Sequence, residues 1–179
     1  MTLATMLFGL LMLAKGITLF TMRGEKALKI GMALLRDRRI EGGLLGVATA
    51  WFLWVVLHLG QADFGDYKIL MFIIFLGVAV GAWFYVKDFL GVRAACAIYM
   101  LLSWQLLGAA FGRYDVPARL FMVSGIYVGL VFALYLAAAP YRARDLLEWF
   151  TQRPVQARVL GGSLAIYGAW LLLIPLMFY

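Results

Sequence analysis

Six apolar stretches, each close to the length of a membrane span, fill most of this 179-residue chain, and polar residues are confined largely to the short segments between them. A helix rises 1.5 Å per residue, so about 20 apolar residues cross a hydrocarbon core of about 30 Å. The pattern predicts spans at about 2–20, 41–60, 68–86, 92–111, 119–139 and 159–178. Ser103 and Gln105 interrupt the fourth and Pro175 lies near the end of the sixth, yet both reach spanning length. Backbone groups inside lipid have no water to bond, so helices are expected rather than an open sheet. The expected fold is all-α, a polytopic transmembrane bundle forming one integral membrane domain over residues 1–179.

Composition agrees with the pattern. The chain is 65% hydrophobic and 14% charged, against about half and about a quarter for soluble domains. The formal charge of +7 would suggest nucleic acid in a soluble protein. Here the basic residues sort by loop instead. Arg23, Lys26, Lys29, Arg36, Arg38 and Arg39 follow the first span, Lys87 and Arg93 the third, and Arg142, Arg144, Arg153 and Arg158 the fifth. The alternate loops hold only Lys68, Arg113 and Arg119. Basic loops stay cytoplasmic, so both termini are expected on the outer, periplasmic side. The first run lacks a basic leader, contains Lys15 and has no convincing small-residue cleavage site, so it reads as a retained span. In these respects the chain resembles small multi-spanning bacterial inner-membrane proteins in general, which implies that location and no particular activity.

The linkers suggest repetition. Arg36-Asp37, Lys87-Asp88 and Arg144-Asp145 each pair a base with an acid, and each precedes another Arg (Arg39, Arg93, Arg158) at the start of the next span. Phe64-Gly65-Asp66-Tyr67 matches Phe111-Gly112-Arg113-Tyr114. Three helical hairpins in tandem would explain both patterns, and so would the general liking of membrane loops for Gly, aromatic and basic residues. The linkers Met22 to Arg38 and Tyr141 to Phe150 can form amphipathic helices lying in the interface. Arg23, Lys26, Lys29 and Arg36 on the first, and Arg142 and Arg144 on the second, are candidate contacts for anionic lipid or a partner protein.

Small residues recur four apart: Gly42 and Gly46, Gly77 and Gly81, Gly125 and Gly129 followed by Ala133 and Ala137, and Gly161 followed by Ala165 and Ala169. Such spacing puts them on one helix face, where helices approach closely. They can serve packing inside the chain, against a second copy or against another protein.

Few residues of the chain offer chemistry. No Asp or Glu lies centrally in a span, which argues against a proton-coupled pump. Lys15, His58 and Gln105 are the candidate functional polar residues. Lys15 can snorkel to the surface or pair with an acid or a lipid phosphate. His58 is the sole histidine, which excludes a bis-histidine haem within the chain. Cys96 is the sole cysteine and reads as a small buried hydrophobe. Cofactor and metal sites are not expected, and no nucleophile–base pair or nucleotide fingerprint is found. The favoured expectation is a non-catalytic integral membrane subunit or scaffold, in contact with membrane lipids and other subunits or copies of itself. The alternative is a small transporter or channel with a polar cavity around Ser103, Gln105, Ser124 and Tyr127. A lipid-acting enzyme using Arg142, Arg144 and Asp145 ranks third.

Overall fold

The computed structural model describes residues 1–21, 29, 31–33, 37–86, 89–114 and 116–178. Regular structure among them is helical, with no strand. The helices are α1 (Thr2–Thr21), α2 (Arg38–Leu57), α3 (Lys68–Tyr85), α4 (Leu90–Ala110), α5 (Arg119–Ala138), α6 (Arg142–Gln152) and α7 (Pro154–Phe178). All but α6 are long and apolar enough to cross a membrane, giving 6 candidate spans among the described residues.

Besides α4, which starts at Leu90, two spans begin earlier than the apolar runs predict, each for a local reason. At α2, the Asp37 carboxylate accepts the Arg39 backbone N–H at 2.9 Å, satisfying a donor that the first turn leaves open. At α7, Pro154 occupies the first helical position, where its missing N–H costs nothing. Helix α6 has no buried residue. It is the amphipathic surface helix expected between the fifth and sixth spans. The linker expected to be amphipathic after the first span lies mostly outside the described residues, although Lys29, Gly31, Met32 and Ala33 are helical.

The first and last spans form the closest pair in the bundle. They run antiparallel, with Gly9 against Gly168 and Gly16 against Gly161. A Cβ at Gly161 would stand 2.7 Å from the Phe20 backbone nitrogen, and one at Gly168 would stand 2.5 Å from that of Leu13. One at Gly16 would overlap the Ala165 backbone nitrogen. Only glycine allows this approach. The gain is dispersion, which drives association where lipid offers no hydrophobic force between helices.

Helix α4 packs on α2, α5 and α1, while α3 leans on α2. A core of Phe8, Met122, Ile126 and Leu171, all fully buried, joins α1, α5 and α7, with Leu106 of α4 beside them. A smaller cluster of Val92, Cys96 and Ala133 lies where α4 starts and α5 ends.

This packing differs from three tandem hairpins. The helices joined by the basic linkers are not the ones that pack most closely. Helix α1 leans on α7 rather than α2, and α4 on α2 and α5 rather than α3. The two matching loops also differ in conformation. Phe64 takes the left-handed region at φ 63°, whereas Phe111 is extended at φ −65° and Gly112 takes φ 76° instead.

Cations latch the exposed helix ends. The Arg38 guanidinium donates to the Trp83 carbonyl at 3.3 Å and lies 4.5 Å from that ring's centroid. Gly42 leaves room for the same indole. At the other end of the bundle, Arg119 donates to the Ala110 carbonyl at 3.1 Å and lies over Tyr114 at 4.3 Å. Each supplies a partner to a carbonyl near a helix terminus.

Candidate functional site

At the end of the bundle where the basic linkers lie, α1, α2, α4 and α5 diverge around a groove of about 510 Å³. Its walls are almost wholly apolar, with Met12, Leu44, Val92, Phe132 and Leu136 among them, and Ala143 of α6 borders it. Lys15 and Tyr99 are the polar side chains on the lining. The volume lies within the range of about 300–1,000 Å³ usual for ligand clefts.

Lys15 lies about 9 Å along the helix axis before Thr21 at 1.5 Å per residue. Its ammonium does not follow α1 out to the surface. It crosses the groove and stands 5.0 Å from the centroid of the Tyr99 ring, within the reach of a cation–π contact. Tyr99 makes one hydrogen bond through its ring hydroxyl and accepts one at its backbone. Its hydroxyl donates to the Ile126 carbonyl at 3.4 Å, and its own carbonyl accepts the Ser103 hydroxyl at 2.7 Å. The ring fits against α5 because position 129 is glycine, since any Cβ there would overlap the Tyr99 hydroxyl. Among the described residues, no carboxylate lies within ion-pairing distance of Lys15. The groove therefore presents a cation in apolar surroundings with an aromatic face as its neighbour.

Glu41 lies near this groove. It occupies the first turn of α2, where a carboxylate suits the helix dipole. The residue is 5% exposed, against Gly91, whose Cβ would stand 3.0 Å from Glu41 Cγ. The place of Glu41 at the start of the second span is plain from the sequence; that Gly91 of α4 packs on it follows only from the fold.

The other candidates are dispersed. His58 ends α2, its Nδ1 2.7 Å from the Trp54 carbonyl and its ring 4.5 Å from the Trp54 ring. No group of three metal-ligating side chains occurs among the described residues. Gln105 borders a second groove whose other walls include Leu3, Leu7, Leu10, Leu102 and Leu172. Ser103, Ser124 and Tyr127 do not line it. The hydroxyls of Ser103, Ser124 and Ser163 all bond carbonyls of their own helices, as isolated hydroxyls in spans do.

Arg142 and Arg144 project from α6, in ion pairs with Asp145 at 3.5 Å and Glu148 at 3.1 Å. Tyr135 above all, then Tyr141 and Asp145, push the Arg142 guanidinium above its ordinary value, so it stays cationic. Lys29 is exposed on the described part of the first linker. Arg23, Lys26 and Arg36 lie outside the described residues.

The glycines divide. Gly42 meets Trp83, Gly125 meets Tyr167 and Phe8, Gly129 meets Tyr99, and Gly161 meets α1. Around Gly46, Gly77 and Gly81 there is open space. Gly9, Gly16 and Gly168, which with Gly161 make the closest helix pair, recur seven apart within their helices rather than four apart.

No protein-family model, curated protein or solved structure matches this chain.

Proposed function

We propose that this chain is a non-catalytic integral membrane subunit that holds other membrane proteins in place. The observation that carries this reading is α3. It is an 18-residue apolar helix with no buried residue, attached along one side to α2. Ile73, Val78, Val80 and Phe84 are exposed along it, and Gly77 and Gly81 leave open space between them. Small residues flanked by apolar ones offer a neighbouring helix a close approach that a uniform row of large side chains does not.

The helix pairs elsewhere support a division of labour. Gly9 and Gly16 of α1 and Gly161 and Gly168 of α7 pack against each other's helix, while Gly77 and Gly81 of α3 meet no neighbour among the described residues. The polar hydroxyls named above bond locally, which favours a structural role over a path for a polar substrate.

By the distribution of basic residues, the groove end faces the cytoplasm and both termini face the periplasm of a bacterial inner membrane. Gentle extraction from the native membrane, followed by native mass measurement, tests the subunit reading. The expected result is a complex of fixed stoichiometry with other polypeptides. Release of the chain alone, or only as copies of itself, would count against it.

A further inference from the structure

We infer that the groove around Lys15 is a binding site for one anionic phospholipid of the leaflet at the basic end of the bundle. Its phosphate pairs with the Lys15 ammonium and one acyl chain lies along the apolar walls. This site is independent of the docking face on α3.

The charge is the first argument. An ammonium within a span is costly unless paired or hydrated. Lys15 has an aromatic neighbour at 5.0 Å and no carboxylate at ion-pairing distance among the described residues. An anion is the chemistry that completes such a site. A phosphodiester on an acyl chain can bring one to this depth without leaving the membrane.

The walls are the second argument. Apart from Lys15, Tyr99 and the sulfurs of Met12 and Cys96, they are aliphatic, aromatic or glycine, which suits a hydrocarbon tail and not a soluble anion. The third is the setting. Ala143 places the start of α6 at the border of the groove, so Arg142 and Arg144 stand close to where a headgroup enters. Those two are already paired with Asp145 and Glu148, and among the described residues Lys15 is the cation on the groove lining itself.

The test uses the full chain in mixed micelles of phosphatidylglycerol and phosphatidylcholine, with native mass spectrometry of the lipid it retains. The expected result is one phosphatidylglycerol held with about tenfold preference, the scale of one charge-assisted contact. Lys15→Met abolishes the preference and Lys15→Arg keeps it. Ala95→Phe fills the groove from an exposed lining position and lowers retention of the lipid while Lys15 is intact. Equal retention of the two lipids by the unaltered chain would overturn the inference, marking the lipid as ordinary annulus. So would an unchanged preference in a folded Lys15→Met protein. If that variant does not fold, unchanged retention of phosphatidylglycerol by Ala95→Phe overturns it as well. Inorganic phosphate at millimolar level, added as a competitor, leaves the retention unchanged if the acyl chain contributes. Displacement by phosphate alone would contradict a lipid site.

Discussion

At the scale of single residues, what distinguishes this bundle is which glycines touch something. Gly16 faces the Ala165 backbone with no room for a side chain, while Gly46 faces open space. Gly16→Leu must push α1 off α7, and overpacking of this kind costs about 1–3 kcal/mol or more. Gly46→Leu adds an apolar side chain to an open helix face and changes stability by no more than about 0.5 kcal/mol. Thermal unfolding of the two variants in detergent checks the contrast. Equal effects would mean that the α1–α7 contact is not what holds the bundle closed. The sequence displays both glycines in the same way, each inside an apolar run. Their difference is set by the rotation of each helix about its axis, which local composition does not determine. Lys15 was legible as the one charge deep in the first run. Its direction, across to Tyr99 rather than out along α1, depends on where α4 stands.

At the scale of elements, the spans were legible because the demand is simple: enough consecutive apolar residues to cross the hydrocarbon. The amphipathic α6 was legible for a related reason, since Arg142, Arg144, Asp145 and Glu148 alternate with Leu146, Leu147 and Trp149 at helical spacing. The starts of α1, α3 and α5 were legible as well, but that of α2 was not, because capping decides it. Asp37 extends α2 back to Arg38 through its bond to the Arg39 N–H. Asp37→Ala is expected to cost about 1 kcal/mol and to speed amide exchange at Arg39 relative to the middle of α2. Unchanged exchange there would mean that the cap does not hold the first turn. The loop pairs teach the opposite lesson. Phe64-Gly65 and Phe111-Gly112 look alike, but the left-handed residue is phenylalanine in one loop and glycine in the other. Similar composition did not dictate the same turn.

At the scale of the whole molecule, the order of packing runs from the tight α1–α7 pair, through α5 and α4, to α2 and then to the loosely held α3. The arrangement joins the first span to the last, a closure that neither run announces alone because the partners stand at opposite ends of the chain. The signal was present as glycines seven apart, Gly9 and Gly16 in one run and Gly161 and Gly168 in the other. Orientation follows from charge. A reporter fused after Tyr179 is expected to behave as periplasmic; cytoplasmic behaviour would reverse or break the proposed topology. The basic linkers then stand beside the anionic leaflet surface that attracts them, and the Lys15 groove opens on the same side.

The central claim is that the uncovered face of α3 is a docking surface for another membrane protein. The most direct measurement places a photo-crosslinking side chain at Ile73 in living cells, with Ile166, an exposed position on α7, as the control. The expected result is one protein adduct of defined mass from position 73, absent at position 166 and weakened when Gly77→Leu blocks close approach. Adducts with lipid alone at both positions would contradict the claim and leave α3 as a helix that only faces the bilayer.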